Sequence, residues 1–284
     1  MLQTDRRSVN MVPTLNEYVV SILKTRVNKT LGASPFLVSS DSWVSRNTSL
    51  AEKGIEFKEI QNELIDLVWT SANGRPAQPS SVINALPIEF SGKTWQDKII
   101  DMHAAMEEKD VDALIVSGLD ETAWLFNLRA SDIQYNPFFI SYATIERTNN
   151  RTRLYLIDHT RKLTENPSDN MTMIKVADHL NTGNTGSCSG KTGLCVEVKS
   201  YDNAALLSDI DRIVRTSNKV WISFYCNYAI YSRIPQDKLY QALTPISYQK
   251  AKKNPVEREG LKKAHIRDAV ALIKFIAKLE KEVS

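Results

Sequence analysis

The chain has 284 residues, 42% hydrophobic and 24% charged, with a net charge of +3. This composition excludes a disordered chain, and so small a net charge argues against a dedicated nucleic-acid protein. At roughly 100–200 residues per domain, the length predicts about two domains. No stretch approaches the ~20 apolar residues of a membrane-crossing helix. The start, MLQTDRRSVN, lacks a basic segment followed by an apolar run, which predicts no secretory signal. Cys188, Cys195 and Cys226 form an odd set without paired spacing, which predicts reduced thiols and a cytoplasmic location. Four Asn-x-Ser/Thr triplets begin at Asn28, Asn47, Asn150 and Asn170. They matter only on a secretory route, which nothing in the sequence indicates.

Along the chain, residues 1–16 read as a loose tail. Tyr18, Val19, Ile22 and Leu23 then have helical spacing. Asp41 is a candidate cap for a helix through Trp43 and Leu50 that closes at Gly54. A second helix is expected over 61–69. The run SANGRPAQPSS concentrates Gly, Pro and Ser and reads as a linker. Pro87 argues for an extended connection rather than a central strand.

From Lys93 the signals sharpen. Thr94 with Asp97 predicts a helix cap, and Trp95, Ile99, Met102 and Met106 mark one helical face. Ala113-Leu-Ile-Val-Ser predicts a strand, followed by a helix capped at Asp120. Phe138 to Ile145 and Leu154 to Ile157 read as a hairpin around Thr148-Asn-Asn-Arg. A helix over 171–180 and a flexible Gly/Ser/Thr loop over 181–193 come next. Strand 195–198, helix 202–214 and strand 220–224 complete an α/β domain with a mixed sheet flanked by helices. Residues 250–284 hold ten Lys/Arg against five Asp/Glu, a local charge of +5 that leaves −2 for the rest. Ala269, Leu272, Ile276, Leu279 and Val283 recur at +3 and +4, the stripe of a long amphipathic helix.

Signals for chemistry are sparse. Gly186-Ser-Cys-Ser-Gly-Lys-Thr imitates a phosphate loop, but it has three residues between its glycines where four are needed, and it leads into a strand. His103, His159 and His179 have no metal-ligating companions and read as surface or cap residues. His265 falls on the apolar stripe of the last helix. That position predicts burial against something, either as a packed interface histidine or as one at the edge of a site. Arg129 and Asp132, followed by Tyr135 and Asn136, sit in a loop between helix and strand. They read either as a local salt bridge or as a substrate-side or interface loop.

At these segments the chain resembles the eukaryotic Xaa-Pro aminopeptidases of the creatinase and pita-bread metallopeptidase group. The match is carried in order by 36–43, 62–69, 86–98, 113–129, Tyr135-Asn-Pro137, Lys250-Ala-Lys-Lys-Asn-Pro-Val-Glu257 and 263–272. The resemblance implies a three-domain enzyme, usually dimeric, which removes the residue before a proline at the second position of a peptide. Its last domain binds two metal ions, usually manganese, through two Asp, one His and two Glu. Residues 1–75 then correspond to part of a first creatinase-N-like domain, 76–92 to a linker and 93–249 to a complete middle domain. Residues 250–284 correspond to the first helix of the catalytic domain. All five metal ligands fall outside the chain, so it is expected to hold no cofactor and to be inactive alone. His265 matches a substrate-contacting histidine. Ala130 stands where the family has Gly, which puts a positive-φ turn there in doubt. Two alternatives stay open, a binding or regulatory protein that pairs with a full-length subunit and a non-functional product.

Overall fold

A computed structural model describes residues 14–60, 64–167 and 174–283. The chain divides into two compact units, 1–76 with 227–229, and 77–226 with 230–284.

In the first unit the helix Leu15–Leu23 takes up the end of the segment expected as a loose tail, and residues 1–13 lie outside the described residues. Thr14 and Glu17 exchange reciprocal bonds as a capping box. Strands β1 (Thr30–Ala33) and β2 (Glu56–Glu59) pair in parallel, and the helix Ser40–Ala51 makes the crossover between them. Its cap is Ser39, whose side chain accepts from the Ser42 amide, rather than the expected Asp41. Val19, Trp43, Leu50, Ile55 and Phe57 form the core. Tyr228 stacks on Trp43 with ring centroids 4.3 Å apart. The helix expected over 61–69 is observed only over Leu64–Val68; residues 61–63 lie outside the described residues.

The second unit holds β3 (Asn84–Ala85), β4 (Ala113–Val116), β5 (Leu128–Arg129), β6 (Ser141–Glu146), β7 (Arg151–Leu156), β8 (Val196–Ser200), β9 (Val220–Ile222) and β10 (Leu239–Gln241). Six of these form one mixed sheet in the order β10-β9-β4-β6-β7-β8. β6 is antiparallel to β4 and β7, and the other pairs are parallel. Successive side chains alternate faces, and both faces are covered. Leu114 and Val116 point into one core with Trp95, Ile99, Met102 and Met106 from the helix Trp95–Glu108. Ala113 and Ile115 point into the other with Leu206, Ile210 and Ile213 from the helix Asn203–Thr216. Each large apolar side chain buried in this way contributes about 1.5–3 kcal/mol. The β6–β7 hairpin turns at 147–150, as its sequence predicts.

Three expectations are corrected here. The helix Leu119–Leu125 starts at Gly118 without a side-chain cap, and Asp120 instead pairs with Lys250. The helix expected over 171–180 is a single turn, Val176–His179, with 171–173 outside the described residues. Cys188 and Cys195 are joined by a disulfide, their Cα atoms 5.9 Å apart, while Cys226 is buried elsewhere. The 181–193 loop is therefore fastened rather than loose. Asn181 Nδ2 donates to the carbonyls of Thr192 (2.8 Å) and Leu194 (3.0 Å). Gly186 lies so close to β8 that a Cβ there would come within 2.0 Å of the Val198 carbonyl oxygen. The loop's turns at Gly186, Gly190 and Gly193 all have positive φ, which lets it double back and bring the two cysteines together.

A candidate groove beside the Arg129 loop

The start of the last helix is built by local capping and then docked. Asn254 Oδ1 accepts from the Glu257 amide at 2.9 Å, and Glu257 Oε2 accepts from the Asn254 amide at 2.9 Å. With Pro255 at the first helical position, this is an Asn-x-x-Glu capping box. Asn254 Nδ2 also donates to the Ser91 carbonyl at 2.8 Å. Gly92, at φ 65°, leaves room for that side chain, since a Cβ there would lie 2.4 Å from Asn254 Oδ1. Glu257 Oε1 accepts from Trp124 Nε1 at 3.2 Å.

The helix start and the α/β domain enclose a groove of about 1160 Å³ lined by Trp124, Arg129, Phe138, Lys250, Glu257 and Leu261, among others. Its walls mix apolar rings with charges of both signs. Arg129 Nη1 donates to the carbonyls of Ala123 (2.8 Å) and Leu128 (2.9 Å). Burial lowers the Arg129 pKa and the charge of Glu257 opposes that shift.

Asp132 does not pair with Arg129. Its carboxylate is buried, with Oδ1 accepting from the Ser81 amide and hydroxyl, both at 2.6 Å. Oδ2 accepts from the Ile140 amide (3.0 Å) and from Lys162 Nζ (3.2 Å). Burial raises its pKa, but the Ser81 and Ile140 bonds and the Lys162 charge outweigh this and hold the carboxyl below its ordinary value. The expected local salt bridge is thus replaced by a long-range one, and Asp132 clamps the loop to the segment at Ser81. Tyr135 is 95% exposed with φ 62°. Asn136 is exposed and turns the chain, its amide donating to the Ile133 carbonyl at 3.0 Å. The positive φ of this loop falls at Tyr135, and Ala130 is buried without one, so alanine is accommodated where the family has glycine.

His265 stands apart from these residues. The groove lining extends to Ala264, and His265 is exposed, as is the whole stripe it belongs to. Among the described residues the expectation that it is buried is overturned, because none of them covers that face. His179 was expected at the surface or as a cap. It is half-buried at the end of the turn Val176–His179, with Nε2 2.8 Å from the Phe126 carbonyl oxygen and its own carbonyl accepting from Trp95 Nε1. Burial lowers its pKa against the opposing effect of that bond.

Lys98 is a residue that sequence reasoning passed over. It is 1% exposed, and its ammonium lies 3.8 Å from the Trp124 ring centroid. It donates to the Trp124 carbonyl (2.7 Å) and Asn127 Oδ1 (2.6 Å). Burial brings its pKa down to about 7 despite the nearby charge of Glu257. Its position three residues after Trp95 and four before Met102 places it on the buried face, and that spacing is the signal that could have found it.

Among the described residues no three His, Cys, Asp or Glu side chains come together as metal ligands. Those residues therefore do not offer the donor set of a metal pair.

Residues 74–257 match the family model of the creatinase/prolidase N-terminal domain. Xaa-Pro aminopeptidase 2 of Sus scrofa is 37% identical over 272 residues, covering 94% of this chain and 37% of that protein. The Homo sapiens protein of the same name is 38% identical over 257 residues, covering 89% and 35%. The chain thus spans little more than a third of the length of these curated relatives. The structure of an X-prolyl aminopeptidase from Caenorhabditis elegans, described as a cytosolic enzyme with a di-nuclear active site, superposes with a TM-score of 0.75 at 24% identity. That likeness covers 97% of this chain and 41% of the other and supports the fold. On the residues matched, the chain belongs to the creatinase/prolidase N-terminal domain family.

Proposed function

We propose that the chain is the N-terminal, non-catalytic part of an Xaa-Pro aminopeptidase and does not hydrolyse peptides alone. The observation that carries this reading is the 37% identity over 94% of the chain against 37% of the relative. The capped and docked start of the helix Pro255–Val283 supports it, because a docked first turn leading to a bare stripe suits the first helix of a further domain. In this reading 1–75 is a partial first creatinase-N-like domain, 76–92 a linker and 93–249 the middle domain. Residues 250–284 open the pita-bread domain.

In this proposal a metal pair, manganese, would be held by residues of the full-length enzyme outside this chain, where it would supply Lewis-acid chemistry for hydrolysis. This chain's own residues position and flank. Asp132 and Lys162 fix the loop, Arg129 borders the groove, and Tyr135 and Asn136 form a substrate-side or interface turn. His265 would contact a peptide with proline at its second position only once a catalytic domain covers its helix. Purified chain incubated with manganese and an Xaa-Pro peptide should give no turnover. Specific, chelator-sensitive release of the first residue contradicts the proposal.

A second reading rests on the bare stripe itself. Leu272, Ile276, Leu279 and Val283 are between 44% and 78% exposed, an apolar face suited to a homodimer or to pairing with a full-length subunit. Co-purification with a full-length aminopeptidase supports pairing, and a clean monomer beside it opposes it.

A further inference from the structure

The disulfide changes the meaning of the Asn-x-Thr triplets. Forming it removes two protons and two electrons. The thiols of Cys188 and Cys195 and one oxidised dithiol oxidoreductase become the Sγ–Sγ bond and the reduced oxidoreductase. Such bonds persist in oxidising compartments and are rare in the cytosol. The pair therefore removes the premise of reduced thiols on which a cytoplasmic location rests.

Two of the triplets have the surface placement an acceptor needs. Asn150 lies in the exposed turn between β6 and β7, in left-handed backbone with φ 47°. Its side-chain amide makes no hydrogen bond among the described residues, whereas that of neighbouring Asn149 donates to Glu146 Oε2 at 3.3 Å. Asn28 lies exposed in the bend between the helix Leu15–Leu23 and β1, and its side chain is likewise unbonded among the described residues. In both triplets the threonine, Thr30 or Thr152, belongs to the strand that follows the turn. Asn47 is exposed but sits inside the helix Ser40–Ala51, and Asn170 lies outside the described residues.

We propose that this chain folds in an oxidising secretory compartment and carries N-linked oligosaccharides on Asn28 and Asn150. The donor class is an oligosaccharide on a lipid pyrophosphate. The asparagine Nδ2 bonds to the sugar C1, the bond from C1 to the phosphate oxygen breaks, and the lipid pyrophosphate leaves. The amide proton passes to a base of the transferase. Thr152 is buried in β7 opposite Ile145, so transfer to Asn150 precedes closure of the hairpin. A glycan there then projects from an exposed turn and burdens no packed surface.

The test uses native protein, alkylated before lysis and digested without reduction. Glycans are released by an amidase in heavy-oxygen water, which converts each glycosylated asparagine to labelled aspartate. The expected result is a Cys188–Cys195 linked peptide that disappears on reduction, with label at positions 28 and 150. Alkylated Cys188 and Cys195, or unlabelled asparagine at both positions, overturns the proposal; unlabelled asparagine at one overturns that site. In secretory-competent cells Asn28→Gln and Asn150→Gln should each remove one glycan step from gel mobility, and Asn149→Gln none. Unchanged mobility of both acceptor variants also overturns it.

Discussion

The helices Trp95–Glu108 and Pro255–Val283 carry the same apolar periodicity and end in opposite situations. In the first, Trp95, Ile99, Met102 and Met106 are at most 2% exposed beneath the sheet. In the second, Leu272, Ile276 and Leu279 are 59%, 44% and 49% exposed. A period of 3.6 defines a face, and only a second surface decides whether the face is buried. The α/β unit supplies that surface from its own strands. The last helix is held at its capping box, at Ser91 and at Trp124, and its remaining length extends beyond these anchors.

The comparison breaks most readily at the Asp132–Lys162 pair, where the α/β unit commits buried charges to its own closure. Asp132→Ala leaves the Lys162 ammonium buried without its carboxylate and should cost about 3–5 kcal/mol. Urea melts of the α/β unit followed by tryptophan fluorescence check this; an unchanged midpoint means that the loop is not clamped as described.

A smaller effect sharpens the same contrast through pH. In the folded chain Lys98 releases its proton near pH 7, while the unfolded chain keeps it up to the ordinary value of 10.5. Between those values the unfolded state binds more protons, so this group makes stability rise with pH; below about 7 its effect is a constant penalty. The stability of wild type minus that of Lys98→Met should therefore be flat below about pH 7 and climb above it. A flat difference across the whole window removes the buried cation from the account.

The legible parts of the fold are those whose partners are periodic. The Trp95 stripe and the Ala113–Val116 run announce their own faces, and the hairpin is announced by its Asn-Asn turn. What escaped depends on tertiary approach. The disulfide joins cysteines seven residues apart because the loop doubles back through positive-φ glycines, and no count of cysteines shows that. Asp132 finds Lys162 thirty residues away instead of Arg129 nearby, because β5 aims Arg129 toward the Ala123 carbonyl. At the candidate site the Asn254–Glu257 spacing was visible as a resemblance, and its physical meaning as a cap came only with the docked helix. His265 misled because its stripe, though real, has no cover among the described residues.

Amide hydrogen exchange on the purified chain tests most directly the claim that the α/β unit closes itself while the last helix is held only at its start. Residues 95–108 and 113–116 should exchange slowly, 254–260 at an intermediate rate and 266–283 fast. Protection of 266–283 equal to that of the Trp95 helix would contradict the account.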